Sequence, residues 1–82
     1  MSDVGVAAAA VEAAVAADAL ARVLAEVAHD LGRAAAIATP DWAGPHRDGF
    51  DERVAALQSV CVDGAAALRV LRRRLLEWVA SS

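Results

Sequence analysis

Two prolines and a glycine fall within six residues at the middle of this 82-residue sequence, in the segment Thr39-Pro40-Asp41-Trp42-Ala43-Gly44-Pro45. The long segments on either side contain no proline. Because proline and glycine interrupt helices and favour turns, this segment predicts a turn between two long elements. Every fold compatible with the sequence must therefore place its one sharp reversal here.

Both flanking segments have the composition and periodicity of helices. Hydrophobic residues make up 59% of the chain, many of them alanine, whereas aromatic residues account for only 4%. Alanine, leucine, arginine and glutamate are strong helix formers. We predict an all-α fold in a single domain spanning 1–82: helix 1 at about 4–38, a turn at 39–46 and helix 2 at about 47–80. Two such helices joined by one turn form an antiparallel hairpin.

Apolar residues recur at alternating spacings of four and three in both segments, the pattern of a helix–helix seam. In the first segment the large members are Leu20, Leu24, Val27 and Leu31. In the second segment the pattern runs through Phe50, Val54, Leu57, Cys61, Gly64, Leu68, Leu71, Leu75 and Trp78. The spacing predicts that these two rows pack against each other inside the hairpin.

Other apolar residues lie outside this predicted seam, among them Leu76 and Val79 near the end of helix 2. They predict a second apolar surface, and a single alanine-rich seam buries too little area to offset the entropy of ordering two long helices. We therefore expect the hairpin to dimerise into a four-helix bundle.

Charge and cysteine content narrow the function classes. A net charge of −3 argues against a nucleic-acid partner. The single Cys61 cannot form an internal disulfide. The sequence starts Met-Ser-Asp with no positive charge ahead of the first apolar run, so we expect no signal peptide of the ordinary secretory type. Glu12 and Asp18 interrupt that run, so we expect no membrane insertion. Basic residues that are all arginine, with the alanine excess, suggest a GC-rich genome such as that of an actinobacterium.

The sequence offers no catalytic, cofactor-binding or metal-binding constellation. The two histidines, His29 and His46, fall on different elements, and no metal-ligand, phosphate-loop or nucleophile motif is present. Cys61 lies on the apolar seam, where a thiol is usually inert. We expect a protein without enzymatic activity and without cofactors. The run Arg72-Arg73-Arg74 fits either an acidic partner or a solvated helix end.

Trp42-Ala43-Gly44 in the turn, with Phe50 eight residues after the tryptophan, resembles the WXG family of type VII (ESX) secretion, the early secreted antigen-like proteins. The resemblance implies a helical hairpin that pairs with itself or with a related or larger helical protein. It also implies a role as a secretion substrate or as a chaperone or adaptor, with the secretion machinery as a further partner. From the residues themselves, we interpret Trp42 as a structural plug against both helices.

The end of helix 2 departs from the family pattern. Family export uses a Tyr-x-x-x-Asp/Glu signal beyond helix 2, whereas this sequence contains no tyrosine and Ser82 lies four residues after Trp78. We expect a cytoplasmic protein that leaves the cell only in complex with a partner carrying the signal. Two alternatives stay open: a generic helical dimerisation module, and a targeting partner of a larger exported toxin.

Overall fold

The computed structural model describes residues 2–81, which form two long α-helices: α1 spans Ser2–Ala38 and α2 spans Pro45–Ser81. Contacts between them join Ala28 to Gln58 near the turn and Asp18 to Arg72 farther from it, so the helices run antiparallel. No strand occurs within this described part of the chain. The predicted all-α hairpin is confirmed, and its expected helix bounds lie within two residues of the observed ones.

The reversal between the helices is a tight turn followed directly by the first residue of α2. The backbone NH of Trp42 donates to the carbonyl of Thr39 at 3.2 Å, with Pro40 at the second position of the turn, where its fixed φ is favourable. Gly44 has a φ of +107°, a conformation that residues with a side chain rarely adopt. Pro45 then begins α2, a position at which proline loses no helical hydrogen bond.

Arg47, in the first turn of α2, fastens this reversal. Its guanidinium group donates to the carbonyl oxygens of Thr39 and Trp42, the latter at 2.6 Å, and its Nε lies 3.0 Å from Oδ2 of Asp51. The buried Thr39 hydroxyl donates to the carbonyl of Ala35 at 2.7 Å, satisfying a helix end. One arginine thus ties the end of α1, the turn and the start of α2 together.

The contact between the helices is centred on alanine. An alanine stands at every seventh position of α1, and we call this set the alanine row: Ala7, Ala14, Ala21, Ala28 and Ala35. Ala21 is completely buried, and every buried apolar side chain within residues 2–81 is an alanine. The opposing row of α2 contains Gln58, Ala65, Arg72 and Val79. Small side chains on one helix leave room for longer ones on the other.

The structure buries only part of the predicted seam. Half-buried residues on the predicted seam are Leu24, Leu31, Phe50, Val54, Cys61, Gly64, Leu68 and Leu75. The expectation that the remaining large residues lie between the two helices is wrong, because they are exposed: Leu20, Val27, Leu57, Leu71 and Trp78. Their places are taken by the next residue along each chain, such as Ala21 for Leu20. Because the other row of each seam is kept, each helix is rotated from the predicted orientation by about half the angle between successive residues.

The second surface predicted at Leu76 and Val79 stays a prediction. Both residues are half-buried, and Val79 belongs to the row of α2 that faces the alanine row. The same rotation brings Val79 inward and carries Trp78 outward. A more exposed apolar surface is formed by other residues.

Gln58 is a polar residue within the seam, and its partner fixes how the helices align. Its Nε2 donates to the carbonyl of Ala28 at 2.9 Å, which satisfies the half-buried amide. Gly32 makes room for it, because a Cβ at that position would lie 2.6 Å from the same Nε2 atom. A satisfied polar group at a seam position specifies the register of a helix pair.

Candidate functional site: an apolar face along one side of the hairpin

Rows of apolar residues flank the helix–helix seam on its outer edge. The outer row of α1 consists of Val6, Ala13, Leu20, Val27 and Ala34, and the outer row of α2 consists of Phe50, Leu57, Gly64, Leu71 and Trp78. Neither row contains a charged or polar side chain. Leu57, Leu71 and Trp78 expose 54%, 47% and 47% of their surface, and Leu20 exposes 49%.

Helix geometry places both outer rows on the same side of the hairpin. In each helix the outer row stands one residue before the row at the centre of the seam, for example Leu20 before Ala21 and Leu57 before Gln58. When two helices run antiparallel, corresponding flanking rows meet on one side of the pair. The two outer rows therefore form one continuous surface, which we call the apolar face. It runs about 40 Å from Val6 to Ala34.

The aromatic residues of the turn extend this face to the tip of the hairpin. The rings of Trp42 and Phe50 lie 5.4 Å apart at an interplanar angle of 49°, a favourable tilted arrangement. A groove of about 500 Å³ next to them is lined by Trp42, Pro45, His46, Gly49, Phe50 and Arg53. Trp42 is 40% exposed and its ring lies against Phe50 of α2, so its predicted packing against both helices stays a prediction.

The opposite side of the hairpin is charged. Asp18 lies on the flank away from the apolar face. Its Oδ2 accepts a hydrogen bond from NH2 of Arg22 at 2.8 Å, and its Oδ1 lies 3.9 Å from Nε of Arg72. Arg69 lies on the same flank of α2, close to the groove that contains Asp18 and Arg72. The flank opposite the apolar face thus carries ions towards the open end of the hairpin, together with exposed apolar residues such as Val62.

This charged site is not among those predicted from the sequence, although the spacing of the arginines in α2 indicates it. Arg69, Arg72 and Arg73 are spaced by three and four residues, which puts them on one stretch of helix surface. The consecutive run Arg72-Arg73-Arg74 does not reveal that spacing. By helix geometry, Arg74 points away from Arg69, Arg72 and Arg73. The structure separates Arg74 from the groove.

The hairpin is more extended and more exposed than a compact globular domain of the same size. Its accessible surface is 5944 Å², against about 4,600 Å² for a compact monomer of this mass. Its radius of gyration is 18.5 Å, against about 12 Å for a compact domain of this length. Within residues 2–81, the buried apolar core contains no side chain larger than alanine.

Chemistry beyond apolar contact has little support in the described residues. No group of three or more histidine, cysteine, aspartate or glutamate side chains comes together to hold a metal ion in the part of the chain searched. Both helices contain a window long and apolar enough to cross a membrane by length and composition, a property that core helices of soluble proteins share. The apolar face is therefore the candidate functional site.

Comparisons with known proteins give no match. No family model matches the sequence, and neither the curated proteins nor the solved structures contain a significant relative.

Proposed function

We propose that this protein is a non-enzymatic interaction module that pairs, through its apolar face, with a second helical hairpin to form a four-helix bundle. The observation that carries the proposal is the location of both outer rows on one side of the hairpin. In bundles, each helix places apolar residues at two seam rows and one flanking row. The helix α1 has that three-row pattern, whereas in α2 the row at the centre of the seam also contains Gln58 and Arg72.

The dimensions of the face suit a stable interface. The hairpin measures 63 Å by 16 Å in its two largest directions. A face of that size can bury the roughly 800 Å² per partner that specific interfaces typically require. Contiguous exposed apolar surface of this extent usually marks a binding site for protein. The excess of exposed surface over a compact monomer is of the same order.

A second copy of the chain is the partner that we propose. Neither outer row carries a charge, so two copies can bring these faces together without like-charge repulsion or burial of an unpaired ion. Large residues such as Leu71 and Trp78 alternate along the face with Ala13 and Gly64. Alternation of large and small residues allows facing layers to interdigitate.

The biological setting that we propose is type VII secretion, in which the hairpin acts as a dimeric substrate or as a chaperone or adaptor for an exported protein. Support comes from the resemblance of Trp42-Ala43-Gly44 and Phe50 to the WXG pattern. The hairpin geometry is consistent with it, since this motif occupies the turn and Gly44 has the positive φ there. The alternative is a helical dimerisation module unrelated to secretion, which requires only the apolar face.

Pairing is tested with two substitutions that differ only in the side of α2 that they alter. Leu57 and Val62 are each 54% exposed, Leu57 on the apolar face and Val62 on the opposite flank. Leu57→Asp should convert the dimer to monomer, since a charge buried in an apolar interface is costly. Val62→Asp should leave the dimer intact. Sedimentation equilibrium at micromolar concentration measures both masses.

Three results would contradict this pairing. Wild-type protein that sediments as a folded monomer, with melting independent of concentration, would exclude the second copy. Equal weakening by both substitutions would exclude the apolar face as the interface. A monomer that becomes dimeric only when a second helical protein is added would replace the second copy with a different partner.

Secretion is tested separately. The chain is expressed alone and with candidate partners in a strain that has a working type VII system, and culture supernatants are probed for it. Appearance in the supernatant only with a partner supports the adaptor role. Intracellular retention under every condition, together with an intact dimer, favours the unrelated dimerisation module.

A further inference from the structure

The charged side of the hairpin contains a second surface whose composition differs from that of the protein as a whole. A shallow groove of about 510 Å³ near the open end is lined by Asp18, Arg69, Arg72, Arg73, Leu76, Glu77 and Ala80. We call it the arginine groove. Three arginines and two carboxylates line it, whereas the complete chain carries a net charge of −3.

The carboxylates in the groove leave the arginines only weakly neutralised. Arg72 Nε lies 3.9 Å from Asp18 Oδ1, and Arg73 Nε lies 3.9 Å from Glu77 Oε1. Both distances are at the outer limit of ion pairing, and exposed pairs of this kind contribute little. Asp18 is also shared with Arg22, which binds its other oxygen at 2.8 Å. Arg69 has no ion pair or hydrogen bond with any described residue.

Stabilisation of the helix end does not account for these arginines. The last turn of α2 contains no basic residue, and Arg69 lies twelve residues before Ser81. The favourable interaction of cations with the helix dipole falls off within the last turn. The groove also lies on the side opposite the apolar face, so its arginines are not part of the proposed dimer contact.

We propose that the arginine groove binds a carboxylate-rich peptide segment of a partner protein. Guanidinium groups recognise carboxylates through paired hydrogen bonds, and Arg69, Arg72 and Arg73 offer three of them within about one helical turn. Leu76 and Ala80 add an apolar strip along the same groove. A segment with several acidic residues and an apolar side chain satisfies both parts of the groove.

A peptide fits this surface better than a free phosphate or a membrane. The groove is open and contains Asp18 and Glu77, so it does not enclose a single small anion with converging donors. Binding along a membrane surface requires basic residues beside the apolar face, whereas this groove lies on the other side of the hairpin. Several weak contacts distributed along a peptide suit an exposed groove.

The test uses a fluorescein-labelled octa-glutamate peptide with one central leucine, titrated with full-length protein at low ionic strength and followed by fluorescence anisotropy. The variant Arg69→Gln/Arg73→Gln should bind at least tenfold more weakly. The matched control Arg33→Gln/Arg74→Gln removes the same charge from residues outside the groove and should stay within twofold of wild type. Circular dichroism melting verifies that both variants fold.

Several outcomes overturn the proposal. Absence of peptide binding by wild-type protein, or equal weakening by both double variants, eliminates a specific carboxylate site. Tighter binding to phosphatidylglycerol vesicles or inorganic phosphate than to the peptide, with the same loss in Arg69→Gln/Arg73→Gln, assigns the groove to a phosphate-bearing ligand instead. Because Leu57→Asp alters the opposite side, peptide binding that persists in that variant separates this site from the proposed dimer contact.

Discussion

Replacing Ala21 by leucine tests how the two helices meet. Ala21 is completely buried in the alanine row, whereas its neighbour Leu20 is half exposed. Three added carbon atoms in a filled contact force side chains off their rotamers or push the helices apart, which typically costs about 1–3 kcal/mol. For a domain of this size, that corresponds to a melting temperature lower by about 5–20 °C. Circular dichroism at a fixed protein concentration measures the shift.

The same substitution at Ala19 provides the control, because Ala19 is exposed on the back of α1. Leucine and alanine have similar helix propensities, so Ala19→Leu should change the melting temperature little. The orientation predicted by the heptad pattern places Leu20 inside and Ala21 outside. An unchanged melting temperature for Ala21→Leu would therefore refute the alanine-centred contact and restore the seam predicted from periodicity.

Two further predictions concern the turn. Trp42→Ala should destabilise the protein by about 1–2 kcal/mol, because 40% of Trp42 is exposed, whereas loss of a fully buried aromatic costs roughly 3–5 kcal/mol. Urea unfolding measures the difference. A loss above about 2 kcal/mol would mean that the ring is buried, for example by a partner. Gly44→Ala should destabilise by about 1 kcal/mol or more through its positive φ. Gly49→Ala, inside α2 with open space around a new Cβ, should instead stabilise by up to about 1 kcal/mol; a stabilising Gly44→Ala would contradict the observed turn.

The hairpin could be predicted because its determinants are local. Pro40 and Pro45 restrict the backbone wherever they occur, and Pro45 at the start of α2 is where proline is tolerated in a helix. The alanine-rich composition favours helix at nearly every other position. Element type and boundaries therefore follow from short-range chemistry that the sequence contains explicitly.

The orientation of each helix could not be predicted in the same way. The helix α1 has three adjacent apolar rows, and α2 has two such rows beside the mixed row of Gln58, Ala65, Arg72 and Val79, so a seam can use either of two neighbouring pairs. Choosing the pair with the largest side chains places Leu20, Leu57 and Trp78 inside, which maximises apolar burial in one hairpin. The observed pair instead uses the alanine row, with Gln58 bonded to Ala28 across it. Close approach between helices depends on the side chains of both helices at once. The hydropathy pattern of one helix therefore does not predict which of its rows lies at the contact.

The location of the arginine groove depended on tertiary structure for a similar reason. Arg69, Arg72 and Arg73 share a helix surface by spacing alone. Their proximity to Asp18, however, requires the antiparallel register that joins residues from opposite ends of the sequence. That register is set by the turn and by Gln58, neither of which identifies the groove when α2 is considered alone.

The alanine core has a consequence for the fate of the chain in a cell. A copy without a partner is held together by alanines and by half-buried residues such as Leu24 and Leu68, with no fully buried large side chain in the part of the chain that the structure describes, so it should open often enough for proteases to cleave it. A paired copy is protected in proportion to the strength of pairing. Because the proposed partner is a second copy, the protected fraction should therefore rise with the concentration of the chain itself. Pulse-chase labelling should give a shorter half-life for Leu57→Asp than for Val62→Asp, and equal half-lives would show that turnover is independent of pairing.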